Sequence, residues 1–504
     1  MNIQQAKQEI KHTLLAYHRK DERGSYLFPA VRQRPILLMG PPGIGKTAIL
    51  EQIAAESGVG LVAYTMTHHT RQSAIGLPHI EKKTYGEQEV SVTEYTMSEI
   101  VASLYECMER TGKDEGILFL DEINCVSETL APTMLQLLQN KTFGNHPLPK
   151  GWIIVAAGNP AEFNKSVRDF DVATLDRVRT INVSADLGVW LQYAGERRLH
   201  GAIRSYLSIR SDHFYLVETS VEGSRFVTAR GWEDLSELLK GYEALDIPVT
   251  KEVVGEYLQK EEVAASFAAY WNLYRKYQTD YAITDILSGA LSPAAYAEKR
   301  AMAQNGGFEE RFTVVNLLLS ALEKLLHRHE TAQKRLEHLH NALQLLRTFW
   351  QNAPKAGMEN FIAQRQQAAA VKQEAELLSA ADAALEQATL DTLRRYCAAL
   401  HENHLWDSAG FEQIKELFEA ETAELTASAQ EVQSALANAF AFAEAAFGDG
   451  QELVLLTSDL SRSPRAMAFI AEHGCDAFLR HSDVLLHRKQ EAALQEELGK
   501  LLEL

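Results

Sequence analysis

Residues 35–50 read Pro-Ile-Leu-Leu-Met-Gly-Pro-Pro-Gly-Ile-Gly-Lys-Thr-Ala-Ile-Leu, an apolar run that breaks into a glycine-rich loop and continues as an apolar segment. This order predicts a strand, a phosphate-binding loop and a helix. The glycines allow a tight turn whose backbone N–H groups converge on phosphate oxygens, and the helix adds its positive N-terminal end. Lys46 supplies a point charge, and Thr47 offers a hydroxyl ligand for Mg²⁺. The predicted nucleotide contacts form one continuous loop: Gly40, Pro41, Pro42, Gly43, Ile44, Gly45, Lys46, Thr47 and Ala48.

Two later apolar runs end in polar residues. Residues 117–124 read Ile-Leu-Phe-Leu-Asp-Glu-Ile-Asn, which predicts a buried parallel strand that delivers carboxylates to its C-terminal edge. We expect Asp121 to hold Mg²⁺ through water and Glu122 to polarise the attacking water as a general base. Residues 152–160 predict another buried strand, and the amide of Asn159 at its end can hydrogen-bond a phosphate and the attacking water. The alternatives are an exposed acidic strand end and a plain Gly-Asn-Pro turn.

Composition limits the class of protein. A chain of 504 residues predicts two to four domains. The formal net charge of −18 argues against a chain-wide nucleic-acid or anionic-membrane footprint, so a nucleic-acid partner is not expected. Four scattered cysteines without a CxxC pair predict neither a zinc site nor a disulfide framework. The sequence has no signal-peptide core and no membrane-spanning stretch, which predicts a cytoplasmic protein without a membrane partner.

The predicted domains are 1–185, a nucleotide-binding core, 186–287, a lid, and 288–504, an α-helical domain for partner binding or assembly. The last boundary marks a shift towards Ala, Leu, Glu and Gln with few helix breakers. Within the helical part, four histidines invite a metal-site interpretation, but each i,i+2 pair diverges on a helix, so a solvated face is expected. They are His327, His329, His338 and His340.

In the order of its motifs, the chain resembles AAA+ ATPases, more narrowly the MoxR-like group of the helix-2-insert type. These motifs are the phosphate-binding loop, the Asp-Glu strand, the asparagine strand and the segment Leu175-Asp176-Arg177. The resemblance covers about residues 30–245. It implies an α/β fold: a P-loop AAA+ core with a parallel sheet flanked by helices, then a helical lid and a mostly α-helical C-terminal domain. It also implies that Asp121-Glu122 is the Walker B element and Asn159 is sensor 1.

The resemblance assigns roles to two arginines. Arg177 matches the arginine finger, which would act on the ATP of a neighbouring subunit. Arg179 is the alternative, because the sequence reads Asp-Arg-Val-Arg where the family often has an aromatic residue after the first arginine. Arg230 matches sensor 2, which contacts the γ-phosphate of its own subunit. Arg225 is the alternative there, because Gly231 weakens the start of the predicted helix.

The resemblance further implies a Mg²⁺-ATP-dependent ATPase that forms a homo-oligomeric ring, a hexamer, and remodels or assembles a protein client such as a von Willebrand factor A domain protein. Predicted hairpins within residues 76–92 and 142–149 would face the centre of the ring, with Tyr85 and Phe143 as candidate client contacts, or would be simple surface loops. The alternative function is a nucleotide-dependent scaffold or switch with slow hydrolysis. A small-molecule kinase is disfavoured by the Asp-Glu strand and the late arginines.

Overall fold

The computed structural model describes residues 1–68, 76–85, 88–143, 146–163, 167, 170–220, 223–350, 354–374, 378–406 and 408–482. The chain divides into two compact units. The first comprises Met1–Tyr193, Ser211–Gly241 and Glu252–Ala264, and the second comprises Ala194–Arg210, Tyr242–Lys251 and Ala265–Leu504. The three domains expected from the sequence stay a prediction.

The strands, in chain order, are β1 (Ile36–Met39), β2 (Gly60–Thr65), β3 (Pro78–Tyr85), β4 (Gln88–Tyr95), β5 (Gly116–Asp121), β6 (Thr142–Phe143), β7 (His146–Pro147), β8 (Trp152–Gly158), β9 (Arg179–Asn182), β10 (Leu216–Ser220) and β11 (Gly223–Val227). The helices up to residue 245 are α1 (Ile3–Tyr17), α2 (Lys46–Ser57), α3 (Glu99–Thr111), α4 (Ala131–Asn140), α5 (Val172–Leu175), α6 (Leu187–Glu196), α7 (Gly201–Ile209) and α8 (Ala229–Leu245). The later helices are α9 (Lys251–Tyr257), α10 (Glu261–Asp280), α11 (Ile283–Ser288), α12 (Pro293–Asn305), α13 (Phe308–Trp350), α14 (Pro354–Glu374), α15 (Ala380–Glu402), α16 (Ser408–Phe447), α17 (Gln451–Arg462) and α18 (Pro464–His473).

In the described part of the first unit, five parallel strands form one sheet in the order β2-β5-β8-β1-β9. Helices cover both faces, so successive residues of a central strand enter different cores. On β5, Phe119 packs into one apolar cluster, whereas Leu118 and Leu120 pack into the other. Burial of each side chain of this size contributes about 1.5–3 kcal/mol to the free energy of folding. Burial on both faces explains the unbroken apolar runs of the sequence and confirms the predicted fold class.

Both predicted hairpins form. β3 and β4 pair antiparallel from Pro78 opposite Tyr95 to Tyr85 opposite Gln88, and β6 pairs with β7. The tips, residues 86–87 and 144–145, lie outside the described residues. Tyr85 is 62% exposed, which leaves it available for contact, but Phe143 is fully buried in the sheet core. The expectation that Phe143 contacts a client is therefore wrong, because its side chain is buried in an apolar cluster with residues of α4 and the sheet.

The segment between the sheet and α8 is less helical than expected. β10 and β11 form an antiparallel hairpin from Leu216 opposite Val227 to Ser220 opposite Gly223. The sequence did not indicate it, because its strands are short and rich in polar residues. The chain then enters α8, where the side chain of Thr228 accepts a hydrogen bond from the amide of Gly231 at 3.2 Å. This cap offsets the weak helix propensity of that glycine.

The described part of the second unit consists of helices, the longest being α13 and α16. On α13, Val315, Leu318, Leu322 and Leu326 recur at helical spacing and are buried. His329 departs from the expected solvated face: it is 4% exposed and packs against the rings of Phe469 and His473, at centroid distances of 5.2 and 5.7 Å. Burial lowers the pKa of His329. Among the described residues, no helix is long and apolar enough to cross a membrane.

Lys141 follows α4 as a buried cation in the first unit. Its side chain is 6% exposed, and its Nζ donates a hydrogen bond to Gln33 Oε1 at 2.7 Å. Burial lowers the pKa of Lys141 from 10.5 to about 8. The folded protein therefore binds fewer protons than the unfolded chain between pH 8 and 10.5, and folding becomes more favourable as pH rises through that window.

We expect a Lys141→Met variant to lack this effect. The thermal unfolding midpoint of the wild type, relative to that of the variant, should rise between pH 8 and pH 10 and stay level between pH 6 and pH 7.5. Differential scanning fluorimetry over this range measures the difference. The control is Lys150→Met at an exposed lysine, where the difference should be flat. A flat profile for Lys141→Met would contradict the lowered pKa.

Candidate nucleotide-binding site

The carboxyl ends of three neighbouring strands meet at one edge of the sheet. Met39 at the end of β1 is paired with Gly158 at the end of β8, and Leu120 of β5 is paired with Ala156 of β8. The residues that follow these strands therefore emerge side by side. They are the glycine-rich loop after β1, the acidic pair at the end of β5, and Asn159 after β8.

The loop depends on glycine at three positions. Gly43 and Gly45 adopt φ angles of 73° and 93°, in the left-handed region that other residues rarely adopt. A Cβ atom on Gly40 would lie 2.6 Å from the carbonyl oxygen of Val183, which leaves no space for a side chain. Gly45 precedes α2 and has no side chain that could cap it, so the first helix amides can face an anion.

Lys46 is the central cation of the site. Its side chain is 8% exposed, and its Nζ donates hydrogen bonds to Gly40 O at 2.8 Å, Pro41 O at 2.9 Å and Asn159 Oδ1 at 2.9 Å. Burial lowers the pKa of Lys46 to about 8, and the positive charge of Arg230 acts in the same direction, whereas Asp121 and Glu122 oppose the shift. The structure thus brings the predicted lysine and the predicted sensor asparagine into direct contact.

The two acids differ in their partners. Asp121 Oδ2 accepts a hydrogen bond from Thr47 Oγ1 at 3.2 Å, and its Oδ1 accepts one from the amide of Glu122 at 2.9 Å. Glu122 has a φ of 55°, which is uncommon for a residue with a side chain. Its Oε2 accepts a hydrogen bond from Thr67 Oγ1 at 3.1 Å. Asp121 is therefore directed to the loop, and Glu122 to the end of β2.

A hydroxyl and a carboxylate oxygen within hydrogen-bond distance match the oxygen ligands that Mg²⁺ prefers. Thr47 and Asp121 provide this pair, and both side chains are partly exposed. The buried charge of Lys46 lies on the same edge, where it suits a polyphosphate. The residues present fit a Mg²⁺-nucleotide.

The structure separates the alternative arginines by their contacts. Arg177 is exposed, and its Nη1 donates to the backbone of Ala173 at 2.7 Å. Arg179 forms an ion pair with Glu9 and donates to Thr13 Oγ1 at 2.7 Å, so it connects β9 to α1 within the same chain. Arg177 is therefore the better placed of the two to reach another molecule.

Arg230 lies at the start of α8, where its backbone amide donates a hydrogen bond to Gly43 O at 3.2 Å. Its positive charge helps to lower the pKa of Lys46. The other candidate for this role, Arg225, lies on β11 opposite Glu218. Thr228 also packs on the loop, since a Cβ atom on Gly43 would lie 3.0 Å from its Cβ. The start of α8 thus contacts the loop directly.

Two hydroxyl residues near the site, Thr67 and Tyr215, belong to none of the sequence motifs. Tyr215, just before β10, donates its hydroxyl hydrogen to Pro42 O at 2.8 Å, and burial raises its pKa. The partner of Thr67 is 55 positions away and that of Tyr215 is 173 positions away. Isolated hydroxyl residues in irregular segments carry no spacing pattern, so no sequence signal marked either one.

Residues 35–178 match the family model of the AAA domain, dynein-related subfamily. The matched range begins one residue before β1 and ends at Val178, so it includes the loop, the acidic pair, Asn159 and Arg177. This match supports an AAA+ ATPase in this part of the chain and agrees with the P-loop fold. A search of curated proteins found no match to the chain.

The different contacts of the two arginines give a testable contrast. We expect Arg179→Ala to lower the thermal unfolding midpoint by about 2 °C, because it removes an ion pair and a hydrogen bond between β9 and α1. Arg177→Ala should leave the midpoint unchanged, because it removes one exposed contact between Arg177 and the backbone of α5. Scanning calorimetry of both variants measures this. The reverse order of effects would contradict the distinction.

Proposed function

We propose that this chain is a Mg²⁺-ATP-dependent AAA+ ATPase of the MoxR-like group that assembles into a ring, a hexamer, and remodels or assembles a protein client. The observation that carries the proposal is the meeting of Lys46, Thr47, Asp121, Glu122 and Asn159 at one edge of the sheet. The AAA-domain match of residues 35–178 supports it. The MoxR-like assignment rests on the resemblance of motif order.

Each residue has a distinct role in the proposed hydrolysis. Lys46 binds the phosphate chain, together with the backbone amides of the loop from Gly40 to Ala48. Thr47, and Asp121 through water, would hold Mg²⁺, which would neutralise phosphate charge. Glu122 accepts a proton from the attacking water, and Asn159 orients that water.

The surface around α5 supports assembly. Val172 is 83% exposed and Leu175 is 42% exposed, and both lie within five residues before the exposed cation of Arg177. Apolar side chains beside an exposed arginine fit a face that a second copy of the chain covers. Arg177 then acts on the nucleotide of that copy, while Arg230 acts on the nucleotide of its own chain.

The client is a protein, and the von Willebrand factor A domain class follows from the MoxR-like resemblance. The exposed hairpin of β3 and β4, with Ile80 at 78% and Tyr85 at 62% exposure, is a candidate contact. The helices from residue 288 onwards are a candidate for partner binding or assembly. A cytoplasmic location is part of the same proposal.

The chemical roles are tested by two substitutions with different expected outcomes. Lys46→Ala should weaken ATP binding about 10- to 100-fold, because it removes a charged hydrogen-bond donor. Glu122→Gln should bind ATP normally but lower kcat at least about 100-fold, because only the base is lost. Isothermal titration and a phosphate-release assay separate the two effects.

Glu51→Gln, at an exposed glutamate of α2, is the matched control and should leave both quantities unchanged. Near wild-type hydrolysis by Glu122→Gln would exclude Glu122 as the base. Wild-type turnover that stays slow with and without a client would favour the nucleotide-dependent scaffold.

The role of Arg177 in another subunit is tested by mixing variants. Arg177→Ala should bind ATP yet lose about 10³-fold or more in turnover, as expected for an arginine that acts on a neighbour. Mixing Arg177→Ala chains with Lys46→Ala chains should restore part of the activity, because some interfaces then combine an intact loop with an intact Arg177. A lack of recovery in rings shown by native mass spectrometry to be mixed would contradict action across subunits.

A further inference from the structure

Asn124, three residues after Asp121, is buried beside the candidate site. Its side chain is 3% exposed, and its Nδ2 donates a hydrogen bond to the backbone oxygen of Asn159 at 2.8 Å. The bond connects the segment that follows β5 with the residue that follows β8. The two residues are 35 positions apart in sequence.

Gly158 makes room for this contact. A Cβ atom on Gly158 would lie 2.7 Å from Asn124 Oδ1 and 2.9 Å from its Cγ. Any side chain at position 158 would therefore displace the amide of Asn124. The last residue of β8 must be small for Asn124 to reach the backbone of the next residue.

The contact continues to the phosphate-binding lysine. Asn159, whose backbone oxygen is held by Asn124, accepts a hydrogen bond from Lys46 Nζ through its own side-chain oxygen at 2.9 Å. Asn124 itself lies two residues after Glu122, on the same turn. The buried side-chain amide of Asn124 therefore connects the turn that carries the acidic pair to Asn159.

We propose that Asn124 is a positioning residue that sets the place of the Asn159 side chain relative to Lys46 and Glu122. This inference rests on the proposed ATPase function. Asn124 does not touch the nucleotide but acts through Asn159. The role requires a hydrogen-bond donor of this length, because the accepting group is a backbone oxygen.

The main test is a double-mutant cycle of Asn124→Ala and Asn159→Ala. Asn124→Ala should lower kcat about 10- to 100-fold with little change in the KM for ATP, because a small displacement of a catalytic group has effects of this size. In the Asn159→Ala background the same substitution should change kcat by less than about twofold, because the residue through which it acts is already gone. Gly158→Ala should reproduce the loss of kcat.

Asn316→Ala is the matched control. Asn316 on α13 is 6% exposed and also donates its Nδ2 to a backbone oxygen, that of Phe312 at 2.9 Å. Its substitution removes the same type of bond at similar burial and should leave kcat unchanged. Losses of kcat that multiply in the double variant, or equal losses for Asn124→Ala and Asn316→Ala, would overturn the positioning role.

A second variant tests whether the hydrogen-bond donor of Asn124 matters, and a second measurement tests its role without ATP turnover. Asn124→Asp keeps the size of the side chain but replaces the donor with an acceptor, so it should also lose kcat if the donor matters. The NMR amide signals of Asn159, assigned by their loss in Asn159→Ala, should shift in Asn124→Asp and not in Asn316→Ala. This readout needs no turnover, so it tests Asn124 even if the wild type hydrolyses no ATP. Unshifted signals would overturn the inference, whereas absent hydrolysis would overturn the proposed function alone.

Discussion

A buried ammonium group is unfavourable unless oxygen atoms surround it, and this constraint shapes the site around Lys46. Two of its oxygen partners, those of Gly40 and Pro41, come from its own loop, and the third comes from Asn159 at the end of another strand. The third contact is possible only because β1 and β8 are adjacent and in register. The hydrogen bonds of Lys46 therefore depend on both the order of the strands and the geometry of the loop.

The central strands could be predicted from the sequence because both of their faces are buried. β1, β5 and β8 lie between helical layers, so each reads as a short, nearly unbroken apolar run followed by polar residues. A cap is a local signal of the same kind: the hydroxyl of Ser98, just before α3, accepts a hydrogen bond from the amide of Val101. The hairpin of β10 and β11 was not visible, because polar residues in its short strands resemble a loop.

The residues that meet at this edge of the sheet could be predicted from the sequence, but most of their hydrogen-bond partners could not. The motif order placed Lys46, Asp121 and Asn159 in one site, because parallel strands end at the same edge. The ion pair of Arg179 with Glu9 spans 170 positions and follows no spacing rule. The burial of His329 could not be predicted for a related reason, since the rings that it contacts belong to another helix, α18. Helical spacing tells which residues share a face, but not what packs on it.

The left-handed backbone of Glu122 has a consequence for the stability of the whole unit. A residue with a Cβ atom in this conformation costs about 1 kcal/mol or more relative to glycine. Surrounding contacts, such as the bond from its own amide to Asp121, must hold it there. A glycine at this position would relax the strand end while removing the carboxylate. Under the proposed function, stability and activity therefore make opposite demands on this position: glycine suits the backbone, whereas only a carboxylate supplies the base.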